Sequence, residues 1–198
     1  MRKILILMVL LSSIVLSQST KVIPISKTKF VYIDKEGVRT DVDMTGKDFI
    51  LVSMREENSD GRFYAVDRDG TVWLSSGITS GINNFTPSGV WSVLRKKRYH
   101  MSRAYPDEDG INNMDYSIFF TNRGHAIHKG SMTGMSHGCI HVHKRIIPSL
   151  FNWSWIGMPV ITTRRSYMPY AKKDLKRIYH QVIKVKRRAD HSRRTFHR

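Results

Sequence analysis

The chain has 198 residues, 40% of them hydrophobic and 10% aromatic, and a formal charge of +17. That length and apolar content allow one globular domain with appendages and exclude global disorder. The charge is uneven, because residues 164–198 carry thirteen Lys/Arg against only Asp174 and Asp190. The basicity is therefore mainly that of a tail.

Residues 1–19 read as an export signal. Arg2 and Lys3 precede an apolar run from Ile4 to Leu16, and Ser17-Gln18-Ser19 places small residues where a signal peptidase reads them. Cleavage after Ser19 is expected, which puts the mature protein in the periplasm or at the outer face of the cytoplasmic membrane. An uncleaved anchor is the competing reading, but thirteen residues span roughly 20 Å of a ~30 Å hydrocarbon core. No Cys follows the run closely, which excludes a lipoprotein.

Residues 20–46 read as a linker over Lys21 to Lys29, then a hairpin. Its strands, Phe30 to Ile33 and Val38 to Met44, flank Asp34-Lys35-Glu36-Gly37. The body, residues 47–163, opens on a strand from Phe49 to Met54. A second hairpin follows, Arg62 to Asp67 and Thr71 to Ser75 around Arg68-Asp69-Gly70. Val90 to Leu94, Tyr116 to Thr121, Gly124 to His128 and Pro159 to Thr163 are further short strands. The pattern predicts a mainly β sandwich or barrel. A short helix is expected within His143 to Trp155, with Pro148 interrupting it. Residues 164–198 form the basic tail. Within it, Met168 to Arg188 could be an amphipathic helix with Leu175, Ile178, Tyr179, Val182, Ile183 and Val185 near one face.

Cys139 is the only cysteine, and an exported chain usually pairs its thiols or lacks them. It sits in Ser136-His137-Gly138-Cys139-Ile140, shortly after Gly124-His125-Ala126-Ile127-His128-Lys129-Gly130. A thiol is nucleophilic as thiolate, and a nearby imidazole can hold it in that form. Gly138 allows a tight turn in which the amides of Gly138 and Cys139 could face a developing oxyanion. Strand alternation puts His125 and His128 on opposite faces, so one of them faces the thiol, and periodicity does not say which.

The segment Ala126-Ile127-His128 followed by Ser136-His137-Gly138-Cys139-Ile140 resembles the catalytic histidine and [ST]-H-G-C signature of the L,D-transpeptidase (YkuD-type) catalytic domain family. The resemblance runs from about Lys47 to Thr163. Supporting matches are Ser76-Gly77, Thr86-Pro87-Ser88-Gly89, Met114 to Phe120 and Gly157-Met158-Pro159-Val160. It implies a β-sandwich with the site in a groove under a lid, here Arg95 through Asn113. It also implies Cys139 as nucleophile and His128 as base, with Ser136, His137 and Gly138 around the oxyanion and substrate. The implied activity is 3→3 cross-linking of peptidoglycan stem peptides through a Cys139 thioester with release of D-alanine, needing no cofactor. An L,D-carboxypeptidase using water, or an inactive wall-binding module, would fit the same motif. Where the family commonly has Arg two residues past Cys, this chain has His141, and the link from His128 to Cys139 is shorter than in many relatives.

A zinc reading of His125, His128, His137, His141 and His143 with Cys139 lacks any recognised zinc motif, so no metal is expected. Thr86 to Gly89 reads as a type I turn. The tail suits an anionic envelope surface, and export argues against nucleic acid.

Overall fold

The computed structural model describes residues 19–56, 59–102 and 112–180. The export signal, the lid tip at 103–111 and the tail beyond 180, with Val182, Ile183 and Val185, lie outside them. Among the described residues no helix is long and apolar enough to cross a membrane.

The N-terminal strands β1 (Lys21–Pro24), β2 (Lys29–Ile33) and β3 (Arg39–Asp43) form an antiparallel sheet in that order. The segment expected as a linker is thus partly a strand. Val22 is buried and pairs with Tyr32, and Pro24 ends an edge strand, where a missing N–H costs little. The β2–β3 turn is held by Asp34, whose Oδ1 accepts from the amides of Glu36 and Val38.

Next come β4 (Phe49–Ser53), β5 (Arg62–Val66), β6 (Val72–Thr79), a 3-10 turn at Ile82–Asn84, and β7 (Gly89–Ser92). They are followed by β8 (Arg95–Lys97), β9 (Met101–Ser102), β10 (Asn112–Asn113), β11 (Ser117–Phe119), β12 (Ala126–Lys129) and β13 (Ile140–Val142). Helix α1 (Ile147–Trp153) and β14 (Pro159–Thr163) close the body. Pro148 does not interrupt α1 but lies in its first turn, where a missing N–H breaks no helical bond. Nine strands form one sheet, ordered β7-β14-β4-β5-β6-β13-β12-β11-β8, while β9 and β10 pair separately. Two pairings are parallel, β14 with β4 and β12 with β13.

The sheet curls on itself. Ile50, Phe63 and Val160 from one half share a core with Ile118, Ile127 and Ile140 from the other, and α1 adds Ile147 and Leu150. Every residue of β4 is buried because the sheet there is covered on both faces. Ile50 and Val52 face the inner core, while Phe49 and Leu51 face a second core with Val22, Phe30, Tyr64 and Tyr167.

That second core corrects the separation of tail from body. Residues 168–180 form helix α2, which buries Ala171 and Leu175 against Phe49 and Tyr64. Ile178 packs at the edge, whereas Tyr179 is half exposed. Asp174 is buried, pairs with Lys27 at 2.6 Å and accepts the Val72 amide at 3.1 Å. Just before α2, buried Glu56 accepts from the Tyr64 hydroxyl at 2.7 Å, the Tyr167 amide at 3.0 Å and the Ser166 hydroxyl. A cut at residue 168 would therefore remove core. Leu175→Ala should cost about 2–4 kcal/mol in urea unfolding, as for other buried leucines; an unchanged midpoint would show that α2 does not contribute to the core.

Candidate active site

A cavity of about 1920 Å³ opens along the β11–β12–β13 side of the sheet. Cys139, His128, Ser136, His137 and His141 line it, as does His125. Gly138 lies behind the wall. The parallel register sets Ile127 opposite Ile140 and His128 opposite His141, so Cys139, one residue before β13, is delivered beside the strand that carries His128.

The His128 ring is 2% exposed, and its Nδ1 lies 2.7 Å from the carbonyl of Lys129. A carbonyl only accepts, so in the neutral ring Nδ1 carries the hydrogen and Nε2 keeps the lone pair. Burial, reinforced by neighbouring His141, pushes the His128 pKa down to about 4, against the opposing bond to Lys129. The Cys139 sulfur packs against Met114, Phe119 and Ala126 and sits 4.0 Å from the carbonyl of Gly124. Burial pushes its pKa up, while the Ala126 amide works against the shift. No hydrogen bond joins the thiol to His128 among the described residues. Both shifts favour the uncharged forms, a neutral thiol and a neutral imidazole.

The turn before the thiol is rigidly held. Gly138 has φ +130°, and an added Cβ would lie 2.9 Å from the His125 ring and 3.3 Å from the Phe85 carbonyl. Its amide donates to Ser136 Oγ at 3.0 Å, and that hydroxyl donates to the Cys139 carbonyl at 2.5 Å. The Gly138 amide is thus engaged and does not face an oxyanion as expected. Ser136 acts on the turn through these bonds. The Thr86 hydroxyl accepts from the Gly81 amide at 2.8 Å and donates to the Gly138 carbonyl at 2.9 Å. Residues 86–89 bend at Thr86 and run into β7 without a turn hydrogen bond; the Thr86 carbonyl accepts from Arg164 instead, and its hydroxyl ties this loop to the cysteine turn. Arg164 holds the same loop from outside, donating to the carbonyls of Asn84 and Thr86. The motif at Thr86 was visible in the sequence; its long-range partner was not.

His125 lies just before β12, so strand alternation does not govern it. Its Nδ1 is 2.8 Å from Thr121 Oγ1, and the ring covers Gly138; burial lowers its pKa, against an opposing contribution from the Phe85 backbone. His125 is therefore beside the cysteine turn, not on an unrelated face. The His141 ring lies against Gly130, 4.9 Å from that of His128, with Nδ1 3.0 Å from the Ser131 carbonyl. His143 Nδ1 accepts the Arg145 amide at 3.2 Å. Among the described residues no group of three His, Cys, Asp or Glu is placed to hold a metal. Of the expected lid, β8 forms the sheet edge, and β9 and β10 pair across the cavity wall.

The family model for the L,D-transpeptidase catalytic domain (YkuD) matches residues 47–162. Among solved structures, the chain is similar to the avibactam carbamoyl enzyme of Ldtfm (21% identity, TM-score 0.52), covering 65% of this chain and 53% of that one. It is also similar to Mycobacterium tuberculosis L,D-transpeptidase 1 (18% identity, TM-score 0.50), covering 70% of this chain and 73% of that one. The chain thus spans about half of the first and nearly three quarters of the second, and these likenesses show the fold. A search of curated proteins found no match.

The depressed His128 pKa has a consequence for stability. Between the ordinary value of 6.5 and about 4, the unfolded chain binds a proton at this residue that the folded chain does not. Stability should therefore fall as pH drops through that window, by roughly 3 kcal/mol from this residue alone. His128→Gln should unfold with a shallower acid dependence; equal slopes would contradict the burial of a neutral ring.

Proposed function

The chain belongs to the L,D-transpeptidase (YkuD) catalytic domain family, and from that premise we propose that it is a cysteine acyltransferase working on peptidoglycan stem peptides. The observation that carries the proposal is the parallel β12–β13 register. It puts Cys139 and a histidine with a free basic nitrogen on the wall of one cavity.

In this reading His128 Nε2 takes the Cys139 proton as the sulfur attacks the carbonyl at the L-centre of the third stem residue. A C–S bond forms, and the tetrahedral oxyanion collapses with cleavage of the peptide C–N bond. His128 returns the proton to the departing D-alanine amine. An amine of a second stem then attacks the thioester, again giving its proton to His128, and the thiol leaves reprotonated. The product is a 3→3 cross-link. With both groups neutral at rest, the proton transfer accompanies the attack rather than preceding it. Stem peptides lie outside the cytoplasmic membrane, so the reading requires export, which residues 2–19 would supply. Exposed Lys172, Lys173, Lys176 and Arg177 on α2 support retention at an anionic envelope surface.

Cys139→Ala and His128→Ala should each abolish muropeptide turnover while circular dichroism shows the fold retained, and the double variant should be hardly worse than either. A carbapenem should leave a mass adduct on the wild type and none on Cys139→Ala. Stem processing by Cys139→Ala would overturn the proposal. A shortened free stem in place of a cross-link would identify water as the acceptor. His125→Ala should fall between wild type and His128→Ala, because it loosens Gly138 without removing the base; full activity would mean that the Gly138 contact is dispensable.

His141→Arg places a guanidinium where a ring now lies against His128. The fork suits a carboxylate and should change the ratio of cross-linking to hydrolysis. Unchanged product ratio and substrate affinity would place residue 141 away from the substrate.

A further inference from the structure

The cavity wall has a one-sided charge. Among its described lining residues are Lys35, Arg95, Lys97 and Arg123, and no Asp or Glu. The two cations of β8 are set by strand alternation. Arg95 pairs with Phe119 and Lys97 with Ser117 along the edge of the sheet, and both line the cavity. Lys96, between them, turns to the other face, where its Nζ donates to the carbonyls of Phe151 and Ser154 at 2.5 Å each. The Arg95 guanidinium lies 4.0 Å from the Phe119 ring centroid, which orients it over the cavity wall. Neither Arg95 nor Lys97 forms an ion pair among the described residues. Both press on His100, another lining residue, and depress its pKa after burial does. Arg123 does the same to His125 across the site.

Arg95 and Lys97 are exposed on the cavity side of this edge strand, where an anionic group entering the cavity can reach them. We propose that Arg95 and Lys97 form a carboxylate-binding subsite that positions an acidic peptide beside Cys139. The proposal rests on the acyltransferase reading above and specifies the part of the substrate that this wall recognises. Arg95, already oriented by Phe119, offers a planar fork to one carboxylate, and Lys97, two residues on, adds a point charge. Two cations at this wall favour a carboxylate over a neutral amide.

The test compares two synthetic stem tetrapeptides, one with free side-chain and terminal carboxylates and one with the same carboxylates amidated. The readout is the rate of Cys139 acyl-enzyme formation by mass spectrometry, on wild type and on Arg95→Gln/Lys97→Gln. The wild type should favour the carboxylate peptide by about 10- to 100-fold, as expected for charge-assisted hydrogen bonds. The preference should shrink with added salt and largely vanish in the double variant. Alkylation of Cys139 by neutral iodoacetamide should stay the same in both proteins, showing that the thiol and its surroundings are intact. An acyl-enzyme whose preference survives the double substitution would overturn the subsite and leave the acyltransferase reading standing. No acyl-enzyme with either peptide would overturn both.

Discussion

Everything at the site depends on a parallel pairing made over a short connection. β12 ends at Lys129 and β13 begins at Ile140, so ten residues must carry the chain back to the start of a parallel neighbour. Such a return usually takes a dozen or more residues, commonly with a helix. Here the loop is pinned instead. The Ser131 carbonyl accepts from Thr79 Oγ1 at 3.1 Å and lies 3.0 Å from His141 Nδ1. Further along, Ser136 exchanges backbone bonds with Ser80 and Ile82. The connection is thus clamped to β6 and the loop after it, and the cysteine turn inherits its position from those clamps.

The same constraint explains why the turn tolerates so little. Gly81 and Gly138 meet backbone to backbone, and a Cβ on Gly81 would come within 2.7 Å of the Gly138 Cα. Thr86 bridges these two residues through its hydroxyl, and His125 covers the far side of Gly138. Ordering this loop costs conformational entropy, which its many local hydrogen bonds offset. Cys139 is consequently held against Ala126 and Phe119 in a partly dry setting, and the same burial that keeps the thiol neutral keeps the His128 imidazole neutral.

Local patterns in the sequence disclosed what local physics determines. The alternating runs at Phe49 to Met54 and Pro159 to Thr163 are strands because their two side-chain rows meet two cores. The turns at 34–37 and 67–70, each opened by an aspartate, close hairpins because that aspartate caps its own loop. What could not be read depended on distant partners. Lys21 to Pro24 looks like linker until Val22 has a core to enter, and the amphipathic face of α2 shows no partner until Leu175 meets Phe49 and Tyr64. Thr86 suggests a turn until Arg164 takes its carbonyl and Gly138, 52 residues on, its hydroxyl. A tight turn at Gly138 leaves its amide free for an oxyanion only until the Ser136 hydroxyl, two residues earlier, accepts it.

The two histidines three residues apart show how position within an element selects chemistry. His128 lies inside β12, where its Nδ1 meets the neighbouring Lys129 carbonyl. An imidazole tied to a carbonyl at one nitrogen must present a lone pair at the other, so the fold itself sets the tautomer a base needs. His125 lies before the strand, in the turn that begins at Thr121. Its Nδ1 meets the Thr121 hydroxyl, whose oxygen also accepts the His125 amide, so the ring is held within that turn and covers Gly138. Alternation along a strand could not separate the two, because only one of them is in the strand. What separates them is which hydrogen-bonding groups the turn and the strand offer to otherwise identical rings.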